Sequence, residues 1–149
     1  MRKLVALGCV ALALGCSKKE SAPAADTMAV APAPMMNLAD MAGTWSMKVM
    51  PEGSDSVVAS GDITATGTTE GWTMTLANRP PMPMMVSVSG DSVMMDAGPY
   101  ESVLRKGVQV STHTVARMQN GMLMGTTTAH YASGADTVVM LRMQATKKP

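Results

Sequence analysis

Residues 84–97 read Met84-Met85-Val86-Ser87-Val88-Ser89-Gly90-Asp91-Ser92-Val93-Met94-Met95-Asp96-Ala97. Two runs of alternating polarity flank Gly90-Asp91, a dipeptide suited to a two-residue hairpin turn. With the turn there, Val88 faces Val93, Val86 faces Met95 and Met84 faces Ala97, so one face is apolar across both strands. The other face holds Met85, Ser87, Ser89, Ser92, Met94 and Asp96. A slip of one residue would turn the apolar set toward water, so the pattern itself selects the register.

Asn120-Gly121, the strongest short hairpin signal, passes the same test. It pairs Met118 with Leu123, Ala116 with Gly125, Thr114 with Thr127 and Thr112 with Ala129. Gln109, Ser111, His113, Arg117, Gln119 and His130 fall on the opposite face. Upstream, Gly43 to Met50 alternates Trp45, Met47 and Val49 with Ser46 and Lys48, as a half-buried strand does. Pro51-Glu52-Gly53-Ser54-Asp55 marks a turn. Val57 to Thr66 then places Val57, Ala59, Ile63 and Ala65 on one side, and Trp72, Met74 and Leu76 alternate with Thr73 and Thr75. Downstream, Thr137 to Ala145 aligns Val139, Leu141, Met143 and Ala145. Ahead of the first strand, Asn37 to Ala42 predicts one helical turn with Asn37 as its N-cap. Evenly spaced strands with no long helix between them predict an all-β domain over 37–149, an eight-stranded antiparallel up-and-down barrel. Closure removes the edges that short, neutral strands would otherwise expose.

The start of the chain is of another kind. Behind Met1-Arg2-Lys3, a short apolar run from Leu4 to Gly15 ends at Cys16, as in a secretory signal sequence. A membrane span needs about 20 apolar residues, and this run is shorter. Ala13-Leu14-Gly15-Cys16 resembles the lipobox of bacterial lipoproteins. That resemblance implies cleavage after residue 15, a diacylglycerol on the Cys16 thiol and attachment to a membrane through that lipid. Ser17 in the next position implies the outer membrane of a Gram-negative cell, on its periplasmic face. Cys9 ends a matching tetrapeptide, Ala6-Leu7-Gly8-Cys9, but cleavage there would leave too short a core. With Cys16 the sole cysteine of the exported chain, no intrachain disulfide forms. Residues 1–15 are thus read as signal peptide, and 16–36 as the lipidated N-terminus with a flexible tether rich in Ala and Pro.

Gly43-Thr44-Trp45 opening the first strand, after a short turn and before antiparallel strands only, resembles the Gly-x-Trp motif of the lipocalin and wider calycin group. The resemblance implies a barrel closed at one end by the Trp. In lipocalins an Arg late in the last strand stacks on that ring; here Arg142 has outward parity and Lys147 inward parity.

Composition narrows the function. The chain has 18 Met, no Phe, two Trp and two Tyr, so Met, unbranched and polarizable, fills the volume that Phe and Leu usually fill. Removing Arg2 and Lys3 with the signal leaves ten basic against eleven acidic residues, a charge of −1. Without basic clusters or stacking aromatics, nucleic acid is not an expected partner. The two His share a polar face, too few for a zinc site, and no nucleophile with a base or carboxylate pair stands out. The expected protein is non-enzymatic, with no cofactor, metal site or catalytic residue.

Three readings remain. The first is a barrel that accepts a small apolar or amphipathic ligand among Trp45, Met47, Trp72, Met74, Met84 and Met95, with Tyr100 and Arg105 from the Pro99–Gly107 connection. Val103 and Leu104 would plug that end. Small Ala59, Gly61, Ala65, Ala116, Gly125 and Ala129 are expected to leave room, and Trp45 and Trp72 to report occupancy. The second is a periplasmic Cu(I)-binding protein using Met82, Met84 and Met85, since thioethers are soft ligands; Met82 is expected in the Pro-rich loop. The third is a structural or protein-interaction module of the envelope, which makes no demand on the interior.

Overall fold

Asn37 caps the one helical turn, α1 (Leu38–Met41), its side-chain oxygen accepting from the Ala39 N–H at 3.1 Å. The computed structural model describes residues 35–149. The signal peptide, Cys16 and the tether as far as residue 34 lie outside the described residues. After α1 come β1 (Gly43–Pro51), β2 (Ala59–Ala65), β3 (Thr73–Leu76), β4 (Met82–Ser89), β5 (Ser92–Glu101), β6 (Gln109–Gln119), β7 (Met122–Tyr131) and β8 (Val138–Lys147). Each strand is antiparallel to the next and β8 pairs back with β1, so the eight close into an up-and-down barrel.

Both hairpins adopt the expected registers, Val88 on Val93 and Met84 on Ala97, then Met118 on Leu123 and Thr112 on Ala129. The turn chemistry explains why. Gly90 has φ +59° at the first central position, and Asn120 and Gly121 both have positive φ (52° and 76°), the conformation that matches strand twist in a type I′ turn. Most inward positions are apolar, and Trp45, Met47, Ile63, Met74, Leu76, Val93, Met95, Leu123 and Met143 belong to one buried core. Outward positions carry Lys48, Asp62, Ser87, Asp96 and His113. This is the reverse of a membrane-spanning barrel, whose outer band is apolar.

Three stretches differ from the sequence expectation. β2 begins at Ala59, and Val57, expected inward, is 49% exposed. Ser54 Oγ accepts from Ser56 N–H at 3.1 Å, and Arg142 holds Asp55 at 2.8 Å from the outer face of β8, so these residues are tied into a loop instead of pairing with β1. Pro99 to Glu101, expected in a connection, continues β5 beyond a register shift between Ala97 and Tyr100. Met82, expected in a loop, starts β4 opposite Met74. At the other boundary, Met36 donates its N–H to Gly90 O at 2.8 Å and packs on the core, so the folded part reaches one residue further back than 37.

Candidate functional site

The alternation of strand directions gives the barrel two unlike ends. At one lie α1, the Gly90-Asp91 and Asn120-Gly121 turns and the end of β8. Trp45 and Trp72 close it, 2% and 1% exposed. Their indole N–H groups donate to Met41 O at 2.8 Å and to Thr68 O at 2.7 Å, which satisfies the polar atom that burial would otherwise strand. Lys147 Nζ lies 5.7 Å from the Trp45 ring centroid and donates to Asp40 O at 3.1 Å. The parity assigned to Lys147 from sequence therefore puts it on this ring, while Arg142 lies outside on Asp55.

Above this floor, toward the opposite end, the barrel encloses a cavity of about 60 Å³. Its wall has two chemistries. Met47, Met74, Met84, Met95 and Met143 bring five thioethers to it. From β5 to β7 come hydroxyls: Tyr100, Thr112, Thr114, Thr127 and Tyr131, with Ser102 just past β5. Thr114 Oγ1 and Thr127 Oγ1, facing each other in the hairpin register, share a buried hydrogen bond at 2.8 Å. Burial raises the pKa of Tyr100 above its ordinary 10.0, partly offset by its hydrogen bond with Thr112, so the phenol stays neutral at any physiological pH. No Asp, Glu, Lys, Arg or His lines the cavity.

The β5–β6 loop covers the mouth. Ser102 Oγ accepts the N–H groups of Leu104 and Arg105, both at 3.0 Å, and this turn directs Val103 and Leu104 onto the cavity. Both remain partly exposed, 44% and 41%. Val57 and Val58 are exposed at the same end and form a shallow groove with Val103.

Of the residues singled out from sequence, Met47, Met74, Met84, Met95 and Tyr100 meet on this cavity. Trp45, Trp72 and Arg105 do not line it. The two indoles form the floor beneath it. Arg105 stacks on the Tyr131 ring at 3.9 Å and donates to Ala135 O at 2.7 Å, strapping the β5–β6 loop to the β7–β8 loop. The small residues also divide. Ala59 and Ala129 do line the cavity, whereas Gly61 and Gly125 open no space, because a Cβ there would collide with the neighbouring strand's backbone. The thioethers of Met82, Met84 and Met85 cannot converge as strand neighbours: Met84 points inward and Met85 outward, 74% exposed.

Sequence reasoning missed the partner of His113. Its Nδ1 lies 2.7 Å from Asp96 Oδ1, across the β5–β6 pairing on the outer face. Asp96 is outward in one hairpin and His113 in the other; the register between the two hairpins, which no tight turn sets, was the unread link. Among the described residues no three His, Cys, Asp or Glu side chains come together as a metal site.

No family model, curated protein or solved structure matches this chain, so the site is read from its own residues.

Proposed function

We propose that the chain is a cell-envelope lipoprotein, anchored through Cys16, whose barrel takes up one small, neutral, amphipathic molecule at its looped end without transforming it. The observation that carries this reading is the two-sided cavity, thioethers against hydroxyls, with no charged side chain in its wall. A carboxylate or ammonium entering it would lose its hydration and find no counter-ion, a cost of several kcal/mol or more. A hydroxyl or carbonyl could exchange hydrogen bonds with Thr114, Thr127 or Tyr100, while its apolar part meets methionines that repack at little cost.

At 60 Å³ the cavity is well below the roughly 300–1,000 Å³ of ordinary small-molecule pockets, so uptake requires widening. Leu104 and Val103, half in water already, and the unbranched thioether chains are the parts able to move.

Cys16→Ser should shift the protein from the membrane to the soluble fraction of cells; an unchanged distribution would remove the anchor from this reading. That same variant, purified from the soluble fraction and examined by native mass spectrometry, should carry a neutral bound species. Thr114→Val with Thr127→Val keeps shape and removes both hydroxyls, and should weaken binding of that species about tenfold, corresponding to one or two lost hydrogen bonds. Trp fluorescence is a poor reporter here, because both indoles lie below the cavity. Failure to find a bound species, with no uptake of any neutral apolar probe, would leave the structural module.

Five thioethers on one cavity also support a second reading, Cu(I) held by interior methionines in place of Met82, Met84 and Met85. Calorimetry with Cu(I) under reducing conditions separates the two: stoichiometric binding abolished by Met47→Leu, Met74→Leu and Met95→Leu together would favour copper over the organic ligand.

A further inference from the structure

Filling the core accounts for only some of the methionines. Met41, Met47, Met74, Met95 and Met143 are 1–6% exposed and pack in the core, and Met50, 5% exposed, is buried on the outer side of β1 opposite Arg142. Four others face water: Met35 (80%), Met85 (74%), Met140 (52%) and Met118 (40%). Met85 and Met140 stand on the outer face of β4 and β8, at the two ends of one rung that runs Met85, Asp96, His113, Thr128, Met140 across five paired strands. Met35 and Met118 line a groove at the closed end. A thioether at such positions gains little from burial, and polar residues occupy most of the same face.

We propose that these four side chains form an oxidant-accepting surface, with hypochlorous acid as the substrate class. Each thioether sulfur attacks the chlorine, so an S–Cl bond forms as the O–Cl bond breaks and hydroxide leaves; water then adds to that sulfur, forming the S–O bond as chloride leaves. Sulfur is oxidised by two electrons to the sulfoxide, chlorine is reduced to chloride, and one net proton passes to water. The described residues contain no cysteine to compete for the oxidant. What distinguishes this surface from ordinary oxidative damage is where the product sits. A sulfoxide on Met85 or Met140 stays hydrated outside a sheet whose backbone pairing is untouched, whereas one on Met74 or Met95 would put a strong dipole into the apolar core. The barrel thus separates thioethers that can be spent from thioethers that hold it together, and a methionine sulfoxide reductase acting on exposed side chains could restore the first set. This inference does not depend on the ligand reading.

The test is stepwise addition of hypochlorous acid to the mature chain, with peptide mapping and near-ultraviolet circular dichroism at each step, and with a second, oxidant-sensitive enzyme present as bystander. The first sulfoxides should appear at Met35, Met85, Met118 and Met140, with the Trp45 and Trp72 signals unchanged. Replacing all four with Leu, which conserves volume, should lower oxygen uptake in this early phase by four atoms per chain and weaken protection of the bystander. Oxidation of Met74 or Met95 alongside the exposed four would overturn the proposal. So would loss of the near-ultraviolet signal at the first additions, or equal protection of the bystander by the Leu variant.

Discussion

Replacing Gly125 with Ala is expected to lower the stability of the barrel by about 3 kcal/mol or more, among the largest effects open to a single methyl group. Gly125 lies in β7 between Ala116 of β6 and Met143 of β8. A Cβ on it would stand 2.1 Å from the carbonyl oxygen of Val115 and 2.6 Å from Ala116 Cα. Both are backbone atoms, so no rotamer change relieves the clash; β6 and β7 would have to part. The cause is geometric. Eight strands close only by tilting and coiling strongly, and at the tightest inward positions adjacent backbones approach closer than a side chain allows. Gly61 shows the same condition in β2, where a Cβ would stand 2.5 Å from Thr75 O. Gly53 supplies the comparison, since its added Cβ would meet nothing within 4 Å. The urea midpoint should therefore fall far more for Gly125→Ala than for Gly53→Ala, whose cost is limited to a φ of +73°. Equal falls would mean that strand spacing at Gly125 is not what the glycine serves.

Gly125 also marks the limit of what the sequence discloses. Alternation and two turn dipeptides were enough for eight strands, their direction and the register of two hairpins, because a period of two combined with a two-residue turn leaves one solution. The same alternation says which residues point inward and not how much space they leave, so Gly61 and Gly125 looked like room when they are contact. Height along the axis was equally hidden. Trp45 and Met47 differ by one inward step on β1, yet one belongs to the floor and the other to the cavity wall. Registers set through longer connections were not legible either, which is why the β5 bulge that brings Tyr100 to the cavity and the Asp96–His113 pair both escaped notice. The thioether half of the wall follows from parity alone; Thr112, Thr114 and Thr127 share that inward parity, but the hairpin register shows them as cross-strand partners and not as one polar surface.

Trp45→Ala is expected to cost about 3–5 kcal/mol, the range for deleting a large buried aromatic side chain. Three separate parts of the chain converge on this indole. Its N–H holds Met41 O at 2.8 Å and so fixes the C-terminal end of α1; its ring underlies Lys147; and Lys147 in turn donates to Asp40 O at 3.1 Å. Without the ring, α1 loses the surface it rests on, and Met41, 1% exposed, loses its cover. Two milder variants separate the contributions. Trp45→Phe removes the N–H and part of the ring, and leaves Met41 O without its donor, which corresponds to about 1–3 kcal/mol. Lys147→Met keeps the stem and removes the charge, at about 0.5–1 kcal/mol for an exposed cation over an aromatic face. Lys147 has a share that acts through the ring and a share in its own hydrogen bond to Asp40 O, so its substitution should cost less, but not nothing, once the ring is gone, and a double-mutant cycle on thermal unfolding reads the ring-dependent share directly. Proteolysis should also cut first at α1 in Trp45→Ala. The same variants bear on the cavity. If the floor only closes the barrel, Trp45→Phe lowers stability and leaves uptake of a neutral ligand at the looped end unchanged, whereas weakened uptake in a folded Trp45→Phe protein would mean that the ligand reaches down to the indole and that the binding site spans both ends of the barrel.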